Sequence, residues 1–391
     1  MIDEKLMQYG TEREREYYLA VVKHGSNRKA ADALGCSRRS VDKGIRNIKA
    51  KAARQGYAPE HDMTRQVPDG FHLRGTSTLY DADGNQKIQW VKTNIDQQRQ
   101  QELMREFIAG MCEEIPQTPA IEHSGKVCNK DLLNTYVITD YHLGALSWAP
   151  ETGADWDLEI AESVLVEWFR QAIAQSPDSE MAVFAQLSDF LHFDGFDAVT
   201  PASKHLLDAA GRFPNLVRVA IRVLRQVIAM LLTKHKFVHL IMADANHDPV
   251  SQVWIREFFA VMYELEPRIT VDTSPSPYNA FEFGKVAIFT HHGHKKKPEN
   301  VADVFVAKFR EIYGRTLFAY AHTGHMHHLF IKENNLMIVE QHRTLTAPDA
   351  YTARGGYLAG RDAKVITYHR NYGEVGRLTI SYDMVKEGGK V

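Results

Sequence analysis

From residue 135 onward, apolar positions gather into short β-branched and aromatic runs at 136–139, 181–187, 238–242, 286–290 and 316–320. Each is bounded by polar or turn-forming residues, the pattern of a buried strand. Between them, 157–173, 216–235 and 252–263 repeat their apolar residues at helical spacing. Strands alternating with helices predict an α/β domain with a layered β-sheet core. The first sixty residues differ. They predict three short helices, 12–24, 27–34 and 37–54, with Val41, Ile45 and Ile48 as the apolar stripe of the third. Ser37 suits its N-cap, and Gly35 stands where a tight turn needs positive φ. Residues 66–92 are β-rich, with Thr78–Tyr80 and Ile88–Val91 flanking a hairpin turn at 81–85. A helix is expected over 95–115, ended by Pro116 and Pro119, then a polar linker. Residues 329–391 read as mostly β. The expected organisation is a helical domain over 1–60, a hairpin and helical linker over 61–133, and the α/β domain over 134–391.

Composition adds bounds. With 391 residues, 44% apolar and 25% charged, the chain can bury a sizeable core. Three scattered cysteines, Cys36, Cys112 and Cys128, predict no disulfide framework and fit a reducing compartment. The first residues carry no signal-peptide pattern, and no apolar stretch is long enough to span a bilayer, so a cytoplasmic protein is expected.

The net charge of −2 hides a local asymmetry. Between Ser37 and Arg54 stand seven basic residues (Arg38, Arg39, Lys43, Arg46, Lys49, Lys51, Arg54) and one acid, Asp42. The run from Asn27 to Val41, with small Ala30 and Ala31 where two helices would touch, resembles the helix-turn-helix of DNA-binding proteins. Arg38, Arg39, Lys43 and Arg46 are then the candidate DNA contacts. A solvated surface helix is the alternative.

Five polar clusters follow five of the strand-like runs. They are Asp140-Tyr141-His142, Asp189, Asn246-His247-Asp248, His291-His292-Gly293-His294, and Gly324-His325-Met326-His327. Carboxylates, an amide and imidazoles at strand ends form the donor set of a dinuclear site, where two cations share a bridging carboxylate. Any one of these histidines alone would more often be structural.

Taken in order, the set resembles the calcineurin-like metallophosphoesterase superfamily over about 135–328. The resemblance implies that Asp140, His142, Asp189 and His327 hold one metal and that Asp189, Asn246, His292 and His325 hold the other. It makes His247 the acid that meets the phosphoryl or leaving-group oxygen, with Asp248 orienting it. Ser188 and Ala245 stand where the family usually has glycine. His291 and His294 remain rivals of His292. The implied cofactors are two divalent ions, manganese, iron or zinc, with manganese favoured. The implied reaction is direct hydrolysis by a metal-bound hydroxide.

A DNA-binding head on such a body points to a DNA nuclease or phosphodiesterase. In arrangement it resembles DNA-repair exonucleases and fusions encoded by bacterial viruses. Two alternatives stay open: a phosphatase or cyclic-nucleotide phosphodiesterase acting on small or protein substrates, and a DNA-binding regulator whose metal core is structural. Lys295–Lys297 and the Tyr351–Tyr357 loop are further candidates for contacting phosphates and bases. His192 and Asp194 could touch substrate or merely be polar loop residues.

Overall fold

The computed structural model describes residues 3–54, 57–58, 63–64, 71–80, 86–95, 121–126 and 128–389. The chain divides into two units, residues 1–117 and 118–391.

The first unit opens with four helices: α1 (Glu4–Met7), α2 (Glu12–His24), α3 (Asn27–Ala33) and α4 (Arg38–Arg54). Thr11 and Glu14 form a reciprocal capping box that starts α2. Gly35 has φ +61° and turns the chain from α3 to α4, as its position suggested. Ala30 and Ala31 are buried against Ala20 and Val41, so their small side chains let the helices meet. On α4, Arg38, Arg39, Lys43 and Arg46 all face solvent. A strand pair, β1 (Tyr57–Ala58) with β2 (Met63–Thr64), and the hairpin of β3 (Phe71–Tyr80) with β4 (Gln86–Ile95) follow. Ile95 therefore closes a strand instead of opening a helix. The rest of the expected helix and the 81–85 turn lie outside the described residues.

The second unit is built on two facing sheets. The larger has the order β15-β14-β5-β6-β7-β8. In it β5 (Asn129–Ile138), β6 (Ser179–Gln186), β7 (Phe237–Met242) and β8 (Ile269–Val271) run parallel. The antiparallel strands β14 (Asp362–His369) and β15 (Gly373–Ser381) complete one edge. The smaller sheet has the order β12-β13-β11-β10-β9. Its parallel centre is β10 (Val286–Thr290), β11 (Phe318–Thr323) and β13 (Ile338–Gln341), with β9 (Asn279–Phe283) and β12 (Phe330–Glu333) antiparallel at the edges.

Period-two alternation makes both faces of the central strands apolar. Val183, Ala185 and Leu187 point between the sheets and meet Val286, Ile288 and Ile366. Phe184 points outward, where its ring meets Phe169 of the helix Leu158–Gln175. The helix Phe213–Lys234 packs on that same helix and is buried along one face. On the far side, Phe289 and Val339 pack on Phe305 of the helix Ala302–Lys308. The result is a layered α/β core with helices outside both sheets. Part of the expected linker belongs to this unit: Ser124 N–H donates to the Thr233 carbonyl, at 2.9 Å.

Candidate metal centre

All five polar clusters sit at the carboxyl ends of neighbouring parallel strands. Strands β5, β6 and β7 carry Asp140/His142, Asp189 and Asn246/His247; β10 and β11 carry His292 and His325/His327. Ligands gather there in α/β folds because the strands fan apart and leave a crevice. The backbone is wound tightly to achieve it. Among the described residues, six of the seven non-glycine positions with positive φ are Asp140, His142, Ser188, Asp189, His325 and His327. Such conformations cost of order 1–3 kcal/mol each and persist where the surroundings enforce them.

Here the enforcement is visible. Asp140 N–H donates to the Ser188 carbonyl (2.9 Å) and His142 N–H to the Asp189 carbonyl (3.0 Å), tying the first turn to the second. Asp189 Oδ1 accepts from the backbone N–H groups of Asn246 and His247, both at 2.9 Å, tying the second to the third. His325 N–H donates to Asp140 Oδ2 at 2.8 Å, tying the fifth to the first. Gly324 makes that approach possible. A Cβ on it would lie 1.8 Å from Thr139 Oγ1 and 2.5 Å from Asp140 Oδ2.

In this crevice, beside a histidine trio of His142, His192 and His247, two groups of donor atoms include carboxylates. Asp140, His142 and His327 form one, and Asp140, Asp189, His292 and His325 the other, with the atoms of each group within 4.8 Å of one another. Asn246 joins the second, its Oδ1 2.8 Å from His292 Nε2. Asp189 was expected in both sets and falls in the second, whereas Asp140 falls in both. Among the rivals, His292 Nε2 lies 3.0 Å from Asp189 Oδ2. His291 stacks on Tyr278 instead, and His294 Nε2 is 3.9 Å from Asp244.

The donor set fits divalent cations. Asp140 is wholly buried, and its Oδ1 has no hydrogen-bond partner although His327 Nε2 is 3.2 Å away. His142 Nε2 and His327 Nε2 face each other at 3.3 Å. His292 donates its Nδ1–H to the Leu187 carbonyl at 2.9 Å, which leaves Nε2 as the free donor toward the carboxylates. Burial disfavours a charged His292, yet Asp189 and Asp140 outweigh it and lift its pKa to about 9. Burial would raise Asp140, but His327 and His292 hold it below the usual carboxylate range. Two buried carboxylates thus draw positive charge into the cluster, which a divalent cation would supply in place of a proton.

His247 borders the first group, its ring centroid 4.7 Å from that of His142. Its Nδ1–H donates to the His192 carbonyl at 3.1 Å. The expected orienting group, Asp248, is engaged through one of its oxygens. Its Oδ2 accepts from Leu191 N–H (2.8 Å) and Gln252 Nε2 (2.5 Å), pinning two loops together. Burial, then Asp189 and Asp194, push Asp248 well above the ordinary range.

Sequence reasoning left His192 and Asp194 undecided. His192 Nδ1 lies 3.4 Å from His142 Nδ1, and burial lowers its pKa to about 4. Asp194 accepts from the N–H groups of Val250 (2.7 Å) and Ser251 (2.8 Å), capping the helix Pro249–Met262. Thr344 went unnoticed: its hydroxyl donates to the Asp140 carbonyl at 2.6 Å from 204 residues away, and no local pattern marks it. Lys295 pairs with Asp244 at 2.5 Å.

By sequence, the chain matches no family profile and no curated protein. By structure, it is similar to a conserved uncharacterized protein and predicted phosphoesterase of Streptococcus pneumoniae (10% identity, 65% of this chain and 99% of that one, TM-score 0.27). An archaeal phosphodiesterase (11%, 63% and 99%, TM-score 0.31) and zinc-complexed Vps29 of Entamoeba histolytica (12%, 64% and 99%, TM-score 0.28) are also similar. Overlap this loose places no residue, and what the site can do follows from its own geometry.

Proposed function

We propose that this protein is a phosphoester hydrolase working with two divalent cations, and that its substrate is DNA recruited by α4. The reading is carried by one observation: carboxylate, amide and imidazole groups from five strand ends converge around the buried carboxylates of Asp140 and Asp189. Asp140, His142 and His327 would hold one cation, and Asp140, Asp189, Asn246, His292 and His325 the other. Bound there, two cations supply an activated water and neutralise the charge that builds up on phosphorus.

The chain's own residues supply the rest. Leu187, through its carbonyl, keeps His292 Nε2 aimed at the carboxylates. The His192 carbonyl holds the Nδ1–H of His247, so a second proton, carried on Nε2 of the imidazolium, is the one His247 would give to the leaving oxygen, returning to the neutral Nδ1–H ring. The P–O bond to that oxygen breaks as the water oxygen bonds to phosphorus, and no phospho-enzyme forms.

DNA is favoured over a small ester by the exposed basic face of α4 on the same chain. The test is manganese-dependent hydrolysis of linear DNA and of bis(4-nitrophenyl) phosphate, with Asp189→Asn as control. Hydrolysis of both, reduced more than about 100-fold in the variant, is expected, since even residues that only support ligands are worth 10–100-fold. Silence on both with manganese, iron and zinc would sink the hydrolase reading. Turnover of the small ester alone would move the substrate away from DNA.

A further inference from the structure

Beside His327, residues 344–361 fold around a pocket of about 320 Å³. Besides its histidines, its lining holds one charged side chain, Arg361. That guanidinium is already engaged: it lies 3.5 Å from the centroid of the Tyr382 ring and donates to the Leu345 carbonyl at 2.9 and 2.7 Å. What remains is apolar or neutral. Met326, Tyr357 and Leu358 line the pocket, and they are 55%, 61% and 90% exposed. These three side chains give the pocket an apolar rim beside the candidate catalytic centre.

Thr346, also in the lining, ties the pocket wall to the candidate centre. It is 5% exposed, and its Oγ1 has no hydrogen-bond partner. Its backbone N–H donates to Thr344 Oγ1 at 3.1 Å, and that hydroxyl donates to the Asp140 carbonyl. The Thr346 backbone is therefore linked through the Thr344 hydroxyl to the Asp140 carbonyl.

We propose that this pocket takes one unstacked nucleobase, the base attached to the phosphate held at the centre. The inference rests on the phosphoester reading and narrows its substrate. Tyr357, 61% exposed, offers the face on which the base stacks. A charged group would find no counter-charge there. The volume is at the lower end of small-ligand pockets, roughly 300–1,000 Å³, which suits one base and not a base pair. The preferred substrate is then a nucleotide at a strand end or in single-stranded DNA, where unstacking costs least.

Binding calorimetry with manganese tests this, comparing thymidine 5′-monophosphate with 2-deoxyribose 5-phosphate. Loss of a base–aromatic stack is worth about tenfold or more in affinity. The nucleotide should bind at least that much better than the baseless sugar phosphate. The preference should collapse in Tyr357→Ala and persist in Tyr357→Phe. Equal affinities for the two ligands, or a preference that survives Tyr357→Ala, would overturn the pocket and leave the hydrolase standing. If neither ligand binds and bis(4-nitrophenyl) phosphate is not turned over, the phosphoester reading falls and takes the pocket with it.

Discussion

Ser188 shows what one residue can reveal about a site. It precedes Asp189 with φ +86°, a conformation that glycine adopts freely and serine does not. Its hydroxyl is buried without a partner, so it returns nothing for the strain. Ala245, the other position where the related pattern carries glycine, is not among the positive-φ residues, and a methyl group is tolerated there. Ser188→Gly should therefore stabilise the protein by about 0.5–1 kcal/mol, after the larger backbone entropy of glycine is subtracted. That is a rise of roughly 1–4 °C in Tm, read by calorimetry. Ala245→Gly should lower it. The opposite pair of signs would mean that the 188 turn is not strained.

At the level of elements, the two sheets meet at one end through charge instead of apolar contact. Glu340 of β13 accepts from Lys364 of β14 at 2.6 Å and lies 3.0 Å from Arg377 of β15, and both Glu340 and Lys364 are almost wholly buried. His322 Nδ1 and His342 Nε2 are 3.0 Å apart beside them. Burial opposes ionisation of Glu340, but His342, His322 and Lys364 hold its pKa at about 2. Burial lowers His322 to about 4 and His342 to about 3, so at neutral pH the cations are Lys364 and Arg377. Both histidines bind protons more readily unfolded, near 6.5, than folded. The contribution of these two histidines should hold above pH 6.5 and fall as pH drops below it, by up to about 1.4 kcal/mol per pH unit for each. Glu340 adds a further loss below pH 4.5, continuing to about pH 2. Urea midpoints at pH 7, 6 and 5 measure this, and a flat profile would contradict it. At the same element scale, reversing the charges of Arg38, Arg39 and Lys43 should weaken DNA binding. The slope of log affinity against log salt should shrink by about one per lost phosphate contact. An unchanged slope would exclude α4 from the interface.

For the whole molecule, the centre joins five strand ends from two sheets, so filling it should stabilise the fold. At a manganese concentration 100 times its Kd, linkage adds about 2.7 kcal/mol. Asp189→Asn should lose most of that increment, measured as the difference in Tm with and without manganese. A metal-independent Tm in the unaltered protein would argue against a site between the sheets.

Much of this was legible before folding. Helices α2, α3 and α4, the cores of the five central strands and the residues at their ends follow from local periodicity and local chemistry, which the chain writes in consecutive residues. What sequence could not reach depends on pairs far apart along it. The choice of His292 over His291 and His294 required the Leu187 carbonyl and the carboxylate of Asp189 to be set opposite it. The orientation of His247 fell to a backbone carbonyl, which no side-chain pattern can announce. Asp248 and Asp194, alike as loop acids, parted only when one pinned a loop and the other capped a helix. Sequence by itself determined which strands end in carboxylate, amide and imidazole side chains, because alternation and spacing are properties of neighbours. Tertiary structure alone decided which atoms face one another, because convergence of strand ends depends on sheet order and twist.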